Sequence, residues 1–169
     1  MAGEKTYLGG GELNVSLYNA DGSISTDVIN IGYVQEFSIT KTQDSVKAYT
    51  YENGYEETVA ELVTKNESTI KFSTTNLNDK NLSLFFGATI DEISGDMTFD
   101  GTLKQITVKL TFNSVNRAGG EREYVFEKVN LKASGDLSLI SKDFAKISFE
   151  GTAVKGSNGK VLTIKKEVV

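Results

Sequence analysis

The sequence predicts an antiparallel all-β domain with one short helix and one long projecting hairpin. Three observations carry this reading. Six segments alternate apolar and polar residues, two Asn-Gly pairs punctuate the chain, and proline is absent from all 169 residues. Alternation with period two gives a strand one buried and one wet face, the pattern of antiparallel sheets. Asn-Gly tolerates the positive φ angles of a type I′ turn, which suits the twist of paired strands. Proline cannot donate to a ladder, so its absence permits long uninterrupted strands.

The elements follow in order. Leu13, Val15 and Leu17 alternate with Asn14 and Ser16, and Asn19-Ala20-Asp21-Gly22-Ser23 supplies a turn. Phe37 and Ile39 lead into a segment from Asp44 to Thr64 with Asn53-Gly54 at its centre, where Tyr49, Tyr51 and Tyr55 cluster. The returning arm alternates Thr58, Ala60 and Leu62 against Val59, Glu61 and Val63, which makes it apolar on both faces. A two-stranded ribbon alone is marginally stable, so such a projection is expected to dock on a neighbour. The expected contact residues are Val46, Tyr49, Tyr51, Asn53, Gly54, Tyr55, Val59 and Leu62. The alternative is a ribbon folded back on its own sheet.

Ile70 and Phe72 resume the core pattern. A helix is expected over 78–86, capped by Asn78 and stopped by Gly87, with Leu82, Phe85 and Phe86 on the face that covers one end of the sheet. Ile106 to Phe112 is the cleanest alternation, followed by Val129 with Leu131 and by Ile147 with Phe149. Asn158-Gly159 marks a second hairpin. The expected inward set is Val15, Phe37, Ile39, Ile70, Phe72, Val108, Leu110, Leu131, Ile147 and Phe149.

Composition excludes much chemistry. Cysteine and histidine are both absent, which removes disulfides, thiolate nucleophiles, imidazole bases and the usual zinc ligands. No catalytic residue, cofactor or metal is expected. Asp91, Glu92, Asp96 and Asp100 lie beside Gly95 and Gly101, but their spacing fails the calcium-loop pattern. Glu56 and Glu57 are adjacent on a strand, so they face opposite ways and cannot flank one glycosidic bond. Gly156 to Lys160 lacks the spacing of a phosphate loop. No apolar run reaches membrane-span length and no signal-peptide core precedes the first strand, so a soluble cytoplasmic product is expected.

Net charge is -5, which argues against a protein that grips nucleic-acid phosphates. The charge is unevenly spread. Residues 1–105 carry 16 acidic and 7 basic side chains, and residues 106–169 carry 7 and 11. Such a split suits head-to-tail association between faces of opposite sign.

Several stretches resemble one family. Ile31-Gly32-Tyr33-Val34-Gln35-Glu36-Phe37-Ser38-Ile39 is similar to an early strand motif of phage tail tube proteins. The segment from Tyr51-Glu52-Asn53-Gly54-Tyr55 to Val63 resembles that family's long inter-subunit hairpin, and Leu82 to Ala88 its short helix. Val129 to Ile140 and Asp143 to Ala153 resemble its C-terminal core, with Gly135 where relatives often carry proline. The resemblance implies an antiparallel β-sandwich or curved barrel forming a homo-oligomer. Hexameric rings would stack head-to-tail into a hollow viral tail tube, assembled in the bacterial host cytoplasm and capped by tape measure and terminator proteins. DNA would pass the lumen without specific binding, and no membrane would be involved. On that implication, the lumen-facing candidates are Glu36, Ser38, Thr40, Thr69 and Ser73, opposite the core face of their strands. Lys71 shares this face and is expected to pair with Glu36. The rival expectation is a bacterial surface or adhesion β-sandwich that binds a carbohydrate or protein ligand.

Overall fold

The structure is a computed structural model that describes residues 10–52, 54–101, 106–116, 120–138 and 144–166. Among the described residues, ten strands and one helix follow in the order β1 (Gly11–Tyr18), β2 (Ile24–Val34), β3 (Glu36–Glu52), β4 (Tyr55–Thr74), α1 (Asp79–Phe86), β5 (Thr89–Ile90), β6 (Met97–Thr98), β7 (Ile106–Asn116), β8 (Gly120–Ser134), β9 (Ile147–Val154) and β10 (Leu162–Ile164). The main sheet is antiparallel in the order β2-β1-β7-β8-β9-β4-β3, with β10 also paired to β8, and β5 and β6 form a separate small sheet.

The main sheet curls over its own core without closing into a barrel. Its two edge strands, β2 and β3, are consecutive in the chain and joined through Gln35 alone. The Gln35 N–H donates to the Ser73 carbonyl on β4 at 3.0 Å, which ties this crossing to the opposite side of the sheet. Inside the curl, Phe37 of β3 stacks on Phe112 of β7 with ring centroids 4.2 Å apart. Phe72 stacks on Phe149 at 5.1 Å. Leu13, Val15, Ile31, Val108, Leu110, Phe126, Val129, Leu131 and Ile147 complete one buried cluster. Offset ring pairs of this kind add to the area they bury.

Of the expected inward set, Val15, Ile70, Phe72, Val108, Leu110, Leu131, Ile147 and Phe149 are buried, and Phe37 is half-buried. Ile39 departs from the expectation, being 40% exposed. It points to the core side of β3, into an open cleft that Phe37, Phe112, Ser114 and Tyr124 line without filling. Alternation identifies the face of a strand but not how far the opposing wall extends.

The helix forms where its caps predict. The Asn78 side chain accepts from the Asn81 N–H at 2.8 Å, and Gly87 adopts φ +65° while its N–H donates to the Ser83 carbonyl. Its buried stripe differs from the expected Leu82, Phe85 and Phe86. Asn81 and Leu84 are buried, Phe85 meets Phe149 edge-on at 5.9 Å, and Phe86 is exposed.

Asn81 turns inward for a reason set in β2. A bulge there skips Ile31 in the pairing with β1, and Gly32 takes φ +89°. The freed Ile31 carbonyl receives the side-chain amides of Asn76 and Asn81, each at 3.2 Å. A buried carbonyl without a partner costs about 1–3 kcal/mol, so these asparagines hold α1 across the end of the curl.

Candidate functional site

The surfaces that stand out are a ribbon and a polar wall built on the same two strands. Only Ser68 to Thr74 of β4 pairs with β9. Beyond that, β3 and β4 continue as a two-stranded ribbon, paired from Thr42 with Glu67 out to Glu52 with Tyr55. At strand rise this projects roughly 30 Å from the body. Every described side chain from Lys41 to Asn66 is exposed except half-buried Thr50. The ribbon therefore does not fold back on its own sheet.

Register assigns the ribbon residues to faces. Val46 opposes Leu62 and Ala48 opposes Ala60, so these four form an apolar patch on one face. Tyr49 opposes Thr58 and Tyr51 opposes Glu56 on the other. A bulge between Ala48 and Tyr49 leaves Val59 without a cross-strand partner. Gly54 takes φ +80° in the two-residue turn, and Tyr55 begins the return. Asn53 lies outside the described residues. Val46 and Leu62 are 61% and 69% exposed, an unusual position for apolar side chains directly opposite one another. From Ala48 to Thr64 the ribbon carries four glutamates and no basic residue.

Closer to the body, Glu36, Ser38 and Thr40 share a face with Lys71 and Thr69. Ser73 departs from the expectation. It is 2% exposed and sits beside the Gln35 crossing, which removes it from the wall. Nor does Lys71 pair with Glu36. Glu36 is in register with Ser73, whereas Lys71 lies directly opposite Glu150 and bonds its carboxylate at 3.0 Å. Lys132 reaches the same carboxylate from the other side at 3.5 Å. The Lys71 hydrogen bond above all, with the charges of both lysines, holds Glu150 below the usual carboxylate range.

Strand pairing extends this wall across the sheet. Thr40, Thr69, Thr152, Asn130 and Thr107 occupy one register row over five strands, with the Thr107 hydroxyl 3.2 Å from the Asn130 side-chain oxygen. The neighbouring row is Ser38, Lys71, Glu150 and Lys132. Sequence reading missed Thr107, Asn130, Lys132, Glu150 and Thr152, because they join the wall only through the order of strands in the sheet. Their polar positions in β7, β8 and β9 were the available signal.

Elsewhere the polar groups serve local structure. The Asp91 carboxylate accepts from the Ile93 and Ser94 N–H groups, which lowers its pKa. Among the described residues no group of three carboxylates is placed to hold a metal ion. An open groove of about 380 Å³ beside α1 is lined mainly by Leu17, Ile29, Leu84, Ala88, Ile90 and Ile106. No helix among the described residues is long and apolar enough to cross a membrane. In comparison with known proteins, no family model matches the chain and no curated protein matches it.

Proposed function

We propose that this chain is a structural subunit that assembles head-to-tail, in hexameric rings stacked into a hollow viral tail tube that conducts DNA. The ribbon carries the reading. A two-stranded projection with apolar residues on both faces is marginal alone, and burying those residues on another copy supplies what the monomer lacks. Val46, Leu62, Tyr49 and Tyr51 are the contacts it offers.

The polar wall would then face the lumen. Its hydroxyls keep water bound, while Glu36 and Glu150 balance Lys71 and Lys132, which leaves passing phosphates little net charge to grip. This supports passage without retention.

Deleting residues 46–60 should leave a folded monomer that forms neither rings nor tubes in electron micrographs. Assembly equal to the parent's would remove the ribbon from the interface and the reading with it. Replacing Ser38 and Thr40 by lysine tests the wall separately. Tubes carrying both should retain DNA in a salt-dependent manner, and unchanged retention would place the wall outside the lumen.

A further inference from the structure

Two segments near opposite ends of β9 carry opposite charge. β9 runs from Ile147, paired with Thr74 just before α1, to Val154, one residue past the pairing of Ala153 with Ser68 at the ribbon root. About 25 Å of strand separates these ends. At the α1 end, residues 75–101 carry five carboxylates and a single lysine, Lys80. At the ribbon end, residues 155–166 carry four lysines and no carboxylate.

Each end presents a turn closed by its own hydrogen bonds. Between β5 and β6, Asp91 accepts through its side chain from Ile93 and Ser94, and its carbonyl accepts from the Gly95 N–H at 2.8 Å. The Asp91 N–H donates to the Asp96 carbonyl at 2.9 Å. This turn holds Ile93 99% exposed and also carries Glu92 and Asp96. Such a fully exposed isoleucine, held by fixed backbone, is a ready apolar contact. At the other end, the Gly156 N–H donates to the Lys160 carbonyl at 2.9 Å and the Gly159 N–H to the Gly156 carbonyl at 3.0 Å. That closes the turn bearing Lys155 and Lys160, and among the described residues neither lysine has an ion-pair partner.

We infer that the β5–β6 turn of one copy seats on the Lys155–Lys160 turn of a second copy, with Glu92 and Asp96 against the lysines and Ile93 at the centre. The occupant is a second copy because both complementary surfaces lie on this chain. They lie at opposite ends, so the contact is heterologous and repeats in one direction. Like charge disfavours the two reversed pairings, turn against same turn. The ribbon leaves the body from the same end of β9 as the lysine turn. The inference rests on the head-to-tail reading proposed above.

Charge swapping tests it. Glu92→Lys with Asp96→Lys, and separately Lys155→Glu with Lys160→Glu, should each leave rings intact. Each should raise the protein concentration at which rings stack by ~10-fold or more, read by sedimentation velocity and electron microscopy. All four substitutions in one chain should restore stacking. Ile93→Ser should weaken stacking with the melting temperature unchanged, which separates contact from fold. Double variants that stack at the parent's concentration, or an Ile93→Ser variant that stacks normally, overturn the contact while ring formation still supports the proposed function. A parent protein that forms neither rings nor stacks overturns both.

Discussion

β3 and β4 are each one strand in two environments. At the base, Phe37, Ile70 and Phe72 face the core while Glu36, Ser38 and Lys71 face outward. Past Ser68 the neighbouring strand ends, and the same ladder continues with apolar residues on both faces and water around them. In the body, one buried face accounts for the pattern. In the ribbon, nothing among the described residues does. Where one ladder changes from one-sided to two-sided apolar character, the buried part of the fold stops and an exposed apolar surface starts.

The largest expected effect separates these regions by stability. Phe149 is buried between Phe72 and Phe85, so Phe149→Ala should cost about 3–5 kcal/mol in a denaturant titration. The ribbon counterpart, Val46→Ser with Leu62→Ser, should shift monomer stability by no more than about 0.5 kcal/mol, because both side chains are already in water. It should nonetheless prevent assembly. If the ribbon pair destabilised the monomer as much as Phe149→Ala, the ribbon would belong to the fold and the contrast would fail.

Much of this was legible in the sequence, with an instructive boundary. The Ile106–Phe112 alternation, the caps at Asn78 and Gly87, and the ribbon turn near Gly54 each follow from neighbours in the chain. Ile39 and Ser73 did not, since their burial depends on what stands opposite in space. Asn158-Gly159 shows the same limit. Its turn forms, yet β9 and β10 both pair antiparallel with β8, so the chain loops out and resumes its direction. A local turn signal fixes a bend but not the direction of the strand that follows. The role of Asn81 is not legible in the sequence, because an asparagine in a helix says nothing about a bulged carbonyl fifty residues earlier.

The smallest expected effect concerns charge, and it sharpens the contrast at the join between the two regions. Glu150 on the wall and Glu67 at the ribbon root both sit below the usual carboxylate range, the first through Lys71 and the second through Lys65 at 2.7 Å. A carboxylate whose folded pKa is lowered adds stability that is fully present above its unfolded pKa and is lost as pH falls through the folded value. Both pairs are solvent-screened, so each contribution is small and weakens further with salt. Glu150→Gln should therefore lower the melting temperature slightly at neutral pH. The gap from the parent should close on acidification through and below the carboxylate range, and narrow in high salt. Glu67→Gln should behave alike in the monomer. On the proposed function the two should part in the assembly, with Glu67 beside a ribbon packed on another copy and Glu150 facing an open lumen. Ring formation followed across the same pH range should respond to Glu67→Gln and not to Glu150→Gln. An equal response from both would mean that the wall, like the ribbon, is covered by a neighbour.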